Sequence, residues 1–477
     1  MNPLAPLIEP LRRMARDAPH SLRVRELPRA ATLDSAALLD AVMAQAAGLR
    51  RAGVGVGDRV LLSCPNGAAF PVAVLACWEV GACCVLAHAD ATAADTDRFL
   101  RVFSPAVTLA RDPGSRGGGA LRLRRFAGRP EALHGRTPSE AVVKITSGST
   151  GEPRGVAFTA GQLVAGGRQI LQTMGIRPAD INIAVVPMAH SYGFDNLILP
   201  LALQGSPLAV LTSPFPEHLT QVLQMSETCV FPGVPYLFDL LGRMPSPWRP
   251  MGLRLCVSAG ALLPAAVERR FEEQCGLPIH TFYGATECGG ISFERHPRPG
   301  RPPGSVGTPL CGVRVDIVPV DGLDTGMDAG RIVVTSAAAG VAYVPARAGQ
   351  EGPGAGRFAT GDLGRLGVDG RVELVGRLGW IVNVGGRKVN PAEVENALRA
   401  LPGVRDAVAL ATTDRRRGEA LAACVETEHE MTRERVFEGL ENLLPRYKMP
   451  RHLVLVEEMP RTRRGKPDMA RIRGLLE

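Results

Sequence analysis

Hydroxyl side chains alternate with glycine over a short stretch between two apolar, strand-like runs. The stretch lies within ITSGSTGEPRGVAFT, residues 145–159, and its candidate hydrogen-bond donors are Thr146, Ser147, Gly148, Ser149, Thr150 and Gly151. Glycine lets backbone N–H groups turn inward without a Cβ clash, and serine and threonine add hydroxyl donors. The pattern therefore predicts a loop that binds phosphate.

This loop lacks the features of a P-loop nucleotide triphosphatase. A Walker A motif needs a lysine followed by a hydroxyl residue, whereas here Gly151 is followed by Glu152, Pro153 and Arg154. Pro153 would also break the helix that a Walker A loop opens. Taken alone, the loop could equally be a structural turn, so other motifs must decide its function.

Three further motifs follow along the chain: FYGATE at 282–287, TGDLGRLGVDGRVELVGR at 360–377 and PRTRRGKPD at 460–468. With the loop, and in this order, they resemble the adenylate-forming superfamily of acyl- and aryl-CoA synthetases, adenylation domains and luciferases. The resemblance covers nearly the whole chain. It implies ATP-dependent activation of a carboxylic acid to acyl-AMP with release of pyrophosphate. The acyl group would then pass to the thiol of CoA or of a carrier protein's phosphopantetheine.

The resemblance assigns the phosphate end of ATP to two motifs. The glycine-rich loop would wrap the β- and γ-phosphates, with Arg154 at a position where relatives usually have lysine. Thr286 would bond the α-phosphate, and Glu287 would hold Mg²⁺ through oxygen, the ligand atom that hard cations prefer.

The base and the ribose are assigned in the same way. By resemblance, Tyr283 stacks near adenine, and Gly260 and Ala261 in VSAGALLP lie close to the base. Asp362 accepts hydrogen bonds from the ribose hydroxyls, with Arg377 assisting, because an ionised carboxylate is purely an acceptor.

Lysine is scarce in this chain, and one lysine is the predicted catalytic residue. Of 55 cationic side chains only four are lysine: Lys144, Lys388, Lys448 and Lys466. Lys466 stands at the position of the superfamily's catalytic lysine. The compact ammonium of lysine can fit between the carboxylate and the α-phosphate, where the larger, planar guanidinium of arginine would clash with them. No chemistry is assigned to Lys388 or Lys448.

The acid and the thiol are less clearly specified. The segment PMAHSYG resembles an acid-pocket motif, so His190 and Tyr192 are expected to face the acid or its gate. Asp195 is not assigned to a substrate amine, because its spacing to Gly205 is too short for the motif of amino-acid adenylation domains. Gly386 would leave room for a pantetheine arm. An aromatic or a short- to medium-chain acid is favoured.

Helix-like and strand-like segments alternate along the chain, which predicts α/β layers around a largely parallel sheet. A β-rich segment (VRVDIVPV, RIVVTS) predicts a small sheet or barrel appended to the large layered N-terminal domain. We predict an AMP- and acid-binding domain over residues 1–378 and a mobile, catalytic α+β C-terminal domain over residues 379–477. Gly376 and Gly379 give the boundary freedom to pivot.

Composition excludes several classes of protein. The chain has 477 residues, a net charge of +8 and only 5% aromatic residues, without the dense basic patch typical of nucleic-acid binding. Its ten cysteines form no CxxC pair, which predicts free thiols in a reducing compartment.

No signal peptide is visible. The most apolar run, from Phe70, carries Glu79, so it predicts a buried helix and strand and no membrane span. The expected location is the cytoplasm.

Two alternatives stay open. The protein could be an acyl-AMP ligase dedicated to a carrier protein. It could also be a non-catalytic relative that binds nucleotide or acid, since Arg154 and Gly379 both depart from the usual residues of the superfamily.

Overall fold

The computed structural model describes residues 2–28, 31–111, 121–125, 139–146, 153–212, 216–244, 249–297, 301–302, 304–320, 329–346, 352–354, 356–378, 382–384, 387–389, 391–414, 418–428, 431–444, 446–462 and 467–476. Ser147, Gly148, Ser149, Thr150, Gly151, Gly379, Gly386 and Lys466 lie outside these residues.

Helices and strands alternate through the described chain. The helices are α1 (Ala5–Asp17), α2 (Ser35–Arg51), α3 (Ala69–Glu79), α4 (Ala93–Phe103), α5 (Ala160–Met174), α6 (Ser191–Gly193), α7 (Leu199–Gln204), α8 (Pro216–Leu223), α9 (Pro235–Gly242), α10 (Ala265–Cys275), α11 (Pro391–Arg399), α12 (Arg433–Glu441) and α13 (Met469–Leu476). A π-helical segment, Phe194–Ile198, joins α6 to α7, and a 3-10 turn covers Arg446–Lys448.

The strands are β1 (Leu22–Leu27), β2 (Ala31–Asp34), β3 (Arg59–Ser63), β4 (Cys83–Ala87), β5 (Val107–Ala110), β6 (Arg122–Arg125), β7 (Glu140–Thr146), β8 (Arg154–Thr159), β9 (Ile181–Ala184), β10 (Leu208–Leu211), β11 (Cys229–Gly233), β12 (Leu253–Ser258), β13 (Ile279–Ala285), β14 (Gly289–Phe293), β15 (Thr308–Pro309), β16 (Arg314–Val318), β17 (Gly330–Thr335), β18 (Ala342–Val344), β19 (Arg357–Leu366), β20 (Val372–Arg377), β21 (Val382–Val384), β22 (Arg387–Val389), β23 (Val404–Asp414), β24 (Gly418–Thr427) and β25 (His452–Val456).

Two large sheets form the layered N-terminal part. One has nine strands in the order β15-β14-β13-β12-β11-β9-β10-β1-β2, and the other has seven in the order β18-β8-β7-β4-β3-β5-β6. The pairs from β13 through β1 and from β7 through β5 are parallel, whereas the edges are antiparallel. The predicted α/β layering around a largely parallel sheet is confirmed.

The β-rich segment forms a separate antiparallel sheet of four strands in the order β16-β17-β19-β20. Residues after 381 form a five-stranded sheet of β21 to β25, with α11, α12 and α13 packed around it. The buried apolar clusters on this last sheet contain no residue from before Val382. This separation is compatible with a boundary at 378/379, which stays a prediction, as does the mobility of the second domain.

Local signals explain where several elements begin. The Asp34 carboxylate accepts from the Ala37 N–H at 2.8 Å and caps α2. Thr159 and Gln162 form a reciprocal capping box at the start of α5. The apolar run from Phe70 forms α3 and then β4, as its interruption by Glu79 predicted.

Glu79 is the one charge in the middle of that run, and two arginines neutralise it. Its side chain is only 4% exposed, and its oxygens accept from Arg12 at 2.6 Å and from Arg50 at 3.1 Å. A buried carboxylate needs such partners. Among the described residues, none of the helices has the length and apolar character needed to cross a bilayer.

All ten cysteines are free thiols, as predicted, and nine of them are buried. Cys311 is the exposed one. A hydrogen bond from the Thr173 hydroxyl, together with Arg295 nearby, lowers the pKa of the Cys311 thiol.

Candidate active site

The predicted phosphate loop starts and ends on one antiparallel hairpin. Thr146 is the last residue of β7 and Arg154 the first of β8, and the two residues face each other in register. The Thr146 hydroxyl donates to the Arg154 carbonyl at 3.2 Å. The hairpin therefore fixes both ends of the loop, although residues 147–152 themselves are not described.

Arg154 contacts the predicted metal-binding residue through a tyrosine. Its guanidinium carbon lies 3.0 Å from the ring centroid of Tyr343, on the neighbouring strand β18. The Tyr343 hydroxyl in turn donates to Glu287 Oε1 at 3.0 Å. Burial, and then the nearby Glu287 carboxylate, raise the pKa of Tyr343, so its hydroxyl stays a donor at neutral pH.

Thr286 and Glu287 occupy the tight turn between β13 and β14. Within the turn, the Cys288 N–H donates to the Ala285 carbonyl at 3.2 Å, and the Gly340 N–H donates to the Glu287 carbonyl at 2.8 Å, which joins the turn to the segment before β18. Gly284 has no room for a side chain, since a Cβ there would lie 2.6 Å from the Gly289 carbonyl oxygen. Glu287 is half-buried, and its Oε2 has no hydrogen-bond partner among the residues that the structure describes.

A second hydrogen-bonded group joins the FYGATE and TGDLG motifs. The Asp362 carboxylate accepts from the Tyr283 hydroxyl at 2.7 Å and from Arg377 Nε at 2.5 Å. Asp362 and Arg377 face each other across β19 and β20. Burial, and then the Asp362 charge, raise the pKa of Tyr283 well above its usual value, which keeps the phenol protonated.

Gly260 and Ala261 form an exposed ledge just beyond the carboxyl end of β12. Gly260 has φ +85°, a conformation that favours glycine. β12 runs parallel to β13, so the ledge lies at the same sheet edge as Tyr283. In open α/β sheets this edge is where ligands bind.

His190 and Tyr192 lie at the entrance to the π-helical segment. The His190 ring centroid is 5.6 Å from that of His88. The Tyr192 hydroxyl donates to the Val257 carbonyl at 2.9 Å, and its ring stacks on Phe282 with centroids 5.8 Å apart. Both the hydroxyl and the ring of Tyr192 therefore have partners within the protein.

Sequence reasoning missed a buried ion pair in this region. Lys144 Nζ lies 2.6 Å from Asp195 Oδ1, and the two side chains are 2% and 8% exposed. Lys144 lies in β7, two residues before Thr146, and Asp195 lies in the π-helical segment. One signal was available: a lysine inside an apolar strand of a chain that otherwise uses arginine.

Comparison with known proteins decides the family. The sequence profile described as "AMP-binding enzyme" matches residues 13–344, and that described as "AMP-binding enzyme C-terminal domain" matches residues 393–466. The chain belongs to the AMP-binding enzyme family.

Individual relatives agree with this assignment. A feruloyl-CoA synthase from Amycolatopsis sp is 30% identical over 484 residues, covering 96% of each chain. A sulfoacetate–CoA ligase from Cupriavidus necator is 31% identical over 337 residues, covering 68% of this chain and 65% of the relative. The solved structure of ATP-bound MatB from Rhodopseudomonas palustris is 24% identical, covers 99% of this chain and 98% of that one, and superposes with a TM-score of 0.82.

These comparisons confirm the predicted superfamily, the fold class and the enzyme class, an AMP-forming acid–thiol ligase. The roles of individual residues in this AMP-binding enzyme stay predictions. The structure brings Arg154, Glu287, Tyr283, Asp362 and Arg377 into two hydrogen-bonded or stacked groups. Gly386 and Lys466 lie outside the described residues.

The buried ion pair supplies a stability prediction for the AMP-binding enzyme. Asp195→Leu removes the carboxylate and leaves the Lys144 ammonium buried, which should lower the free energy of unfolding by about 3–5 kcal/mol. The double variant Lys144→Met, Asp195→Leu should recover most of this loss, because an apolar pair of similar volume is often neutral. Urea unfolding monitored by fluorescence measures both. A single variant as stable as the wild type would show that the pair is not buried as described.

Proposed function

We propose that this AMP-binding enzyme condenses a carboxylic acid with ATP to give acyl-AMP and pyrophosphate, and then transfers the acyl group to a thiol. The observation that best supports this proposal is the convergence of motifs far apart in sequence. Arg154, Tyr343 and Glu287 form one group, and Asp362 with Tyr283 and Arg377 forms the other. Such contacts are expected if the motifs bind one ligand.

In the first half-reaction, a carboxylate oxygen of the acid attacks the α-phosphorus of ATP. The bond from that phosphorus to the bridging oxygen breaks, and pyrophosphate leaves with the electron pair. No proton transfer is required. The protein must bring two anions together and offset their charge, so donors and cations matter more than a nucleophile.

The nucleotide would be held by residues of both groups. Asp362 already accepts one bond on each oxygen, and each oxygen keeps acceptor capacity for a ribose hydroxyl. The Gly260–Ala261 ledge would face the base, beside Tyr283. The loop from Thr146, with Ser147 to Gly151, would wrap the β- and γ-phosphates, and Arg154 would add positive charge beside it.

The Glu287 carboxylate is suited to be a ligand of Mg²⁺. Mg²⁺ commonly uses one or two carboxylates together with substrate phosphates, and no cluster of three His, Cys, Asp or Glu side chains occurs among the described residues. A single half-buried carboxylate, connected through Tyr343 to Arg154 at the end of the predicted loop, meets this requirement. When bound, Mg²⁺ would neutralise phosphate charge, while Thr286 would donate to the α-phosphate.

Lys466 would stabilise the charge that develops between the carboxylate and the α-phosphate. The residues on either side of its motif are joined, because Arg461 and Pro467 form a β-bridge and the Asp468 N–H donates to the Pro460 carbonyl at 2.8 Å. Lys448, another lysine of this domain, has a structural partner, Glu393 Oε1 at 2.6 Å, and no role is assigned to Lys388 in β22. Lys466 is our candidate for chemistry because it stands at the position of the superfamily's catalytic lysine.

In the second half-reaction, a thiolate attacks the acyl carbon, and the bond to the AMP oxygen breaks. The acceptor would be CoA or a carrier protein's phosphopantetheine, with Gly386 leaving room for the pantetheine arm. CoA is favoured because the names of the relatives specify CoA ligases. The acid would enter past His190 and Tyr192, and an aromatic or short- to medium-chain acid is favoured.

Replacing Glu287 with glutamine tests the metal assignment. Loss of the charge should lower acid-dependent ATP–pyrophosphate exchange by about 10²–10³-fold and raise the Mg²⁺ concentration needed for half-maximal rate. Tyr343→Phe is the matched control, because it removes only the bond to Oε1 and keeps a ring under Arg154. We expect a change below about tenfold for it. If Glu287→Gln keeps the wild-type Mg²⁺ dependence, Glu287 is not a metal ligand.

Product analysis tests the proposed function. Purified protein is incubated with ATP, Mg²⁺ and a panel of acids, with CoA and a holo carrier protein supplied in parallel. AMP, pyrophosphate and a thioester are expected with at least one acid. ADP would contradict the proposal, and ATP binding without any acid-dependent product would favour the non-catalytic alternative.

A further inference from the structure

One side chain, Asn66, binds three backbone groups of the segment that leads to His190. Its Oδ1 accepts from the Met188 N–H at 3.0 Å. Its Nδ2 donates to the Val186 carbonyl at 2.9 Å and to the Ala184 carbonyl at 3.4 Å. A primary amide carries an acceptor and two donor hydrogens, so asparagine satisfies all three groups, whereas a carboxylate offers acceptors alone.

The loop that carries Asn66 connects the two large sheets. It follows β3 of the seven-stranded sheet and precedes α3, whereas Ala184 is the last residue of β9 in the nine-stranded sheet. The same loop is bound to the nine-stranded sheet a second time, because the Ala68 N–H donates to Glu26 Oε1 on β1 at 2.6 Å. Glu26 is only 5% exposed. The loop therefore has a fixed position relative to the segment after β9.

The residues after Met188 form a compact turn that transmits this position to His190. The His190 N–H donates to the Pro187 carbonyl at 3.1 Å, and the Phe194 N–H donates to the His190 carbonyl at 2.7 Å. A Cβ at Gly193 would lie 2.1 Å from the Pro187 carbonyl oxygen, so the two ends of the turn are in close contact. A shift of Met188 would therefore move His190 with it.

A second histidine ring lies beside His190 and is held by the same connection between β3 and α3. The Ser63 hydroxyl, at the end of β3, donates to the His88 carbonyl at 3.0 Å. The ring centroids of His88 and His190 are 5.6 Å apart. The connection thus supports both rings, through Ser63 on one side and Asn66 on the other.

We propose that Asn66 is a positioning residue that fixes the ring of His190 at the entrance for the acid, and that it thereby determines the affinity for the acid and not that for ATP. This inference rests on the proposed function. The three bonds of the Asn66 amide end on residues 184–188, whereas the groups proposed for the nucleotide, Tyr283, Asp362 and Arg377, lie on β13, β19 and β20. A side chain that only stabilised the fold would change both affinities or neither.

Asn66→Ala tests this assignment by acid-dependent ATP–pyrophosphate exchange. Misplacement of a binding group can cost about 10²-fold, so the KM for the acid should rise by about 10- to 10²-fold. The KM for ATP should stay within about threefold of the wild-type value, because the groups proposed for the nucleotide keep their places. Asn66→Asp should also raise the KM for the acid, because it keeps the size of the side chain but places an anion against two carbonyl groups.

Gln204→Ala is the matched control for the loss of an amide. The Gln204 Nε2 donates to the Ile176 carbonyl at 3.1 Å and to the Ser206 hydroxyl at 2.8 Å, at the end of α7. This variant should be less stable to urea, as Asn66→Ala should be, because each loses hydrogen bonds to backbone groups. It should nevertheless keep the wild-type KM for the acid.

A second comparison asks whether Asn66 acts through His190. The KM for the acid is measured for His190→Ala and for the double variant that also carries Asn66→Ala. The second substitution should change this KM by less than about threefold, because the effects of two residues that act through one group are not additive.

Chemical modification measures the environment of His190 without any substrate. Diethyl pyrocarbonate modifies imidazole rings, and peptide mass spectrometry gives the rate at each histidine. In Asn66→Ala the rate at His190 should increase by about threefold or more, because the loosened turn opens more often. His20, whose side chain is 89% exposed, is the internal reference and should react at its wild-type rate.

Failure of this inference and failure of the proposed function give different results. An unchanged KM for the acid in Asn66→Ala, an equal rise in the KM for ATP, or a full additional effect in the His190→Ala background overturns the inference and leaves the proposed function standing. If the wild type supports exchange with no acid, the proposed function fails, and the modification rate then decides the role of Asn66. A faster rate at His190 supports the positioning role, and an unchanged rate overturns it.

Discussion

Lys466→Ala should reduce acid-dependent ATP–pyrophosphate exchange by at least about 10²–10³-fold, the effect of removing one group that stabilises transition-state charge. Thioester formation from supplied acyl-AMP should persist, because the attack of the carboxylate on the α-phosphorus has already taken place in that substrate. Measuring both half-reactions on one preparation separates a catalytic lysine from a folding defect, which would impair both.

Two variants sharpen this test. Lys466→Arg keeps the charge but replaces a point-like ammonium with a planar fork, so it should recover only a small part of the exchange rate. Arg473→Ala removes a cation from the exposed side of α13 and should leave both half-reactions unchanged. Our assignment is wrong if Lys466→Ala retains exchange, or if Arg473→Ala loses it to the same extent.

Asp362→Ala should raise the KM for ATP by about 10²-fold. The substitution removes the acceptor proposed for the ribose hydroxyls. It also leaves the buried Tyr283 hydroxyl without the partner it holds at 2.7 Å, and frees Arg377. An unsatisfied buried hydroxyl costs about 1–3 kcal/mol, so the variant should also be less stable.

Tyr283→Phe separates these two effects. It removes the hydroxyl that Asp362 accepts from, yet keeps the carboxylate and the aromatic ring. Its KM for ATP should therefore change by less than about tenfold. Direct calorimetry of ATP binding checks both variants. Equal losses for Asp362→Ala and Tyr283→Phe would mean that the hydrogen bond between them, and not a ribose contact, determines affinity.

Much of the fold was predictable because its signals are local. The alternation of helix-like and strand-like segments predicted the layered part, and the apolar run from Phe70 predicted α3 and then β4. Asp369 and Gly370 lie in the turn between β19 and β20, where Gly370 has φ +76°, and an Asp-Gly pair is a local sequence signal for such a turn. Such features depend on residues a few positions apart, so the sequence carries them directly.

The contacts within the site were not predictable in the same way. The bonds from Tyr283 to Asp362 and from Tyr343 to Glu287 join residues 79 and 56 positions apart. They depend on how sheets pack, which no local pattern encodes. The Lys144–Asp195 ion pair was missed because each residue was considered alone, and Asp195 was considered only as a partner for a substrate amine.

Oxygen-isotope transfer tests the central claim most directly. An acid labelled with ¹⁸O at both carboxyl oxygens is incubated with ATP, Mg²⁺ and CoA, and the AMP is examined by mass spectrometry. Attack of the carboxylate on the α-phosphorus predicts one ¹⁸O in each AMP and none in pyrophosphate. AMP without label, or label appearing in inorganic phosphate alongside ADP, would contradict activation through an acyl-adenylate.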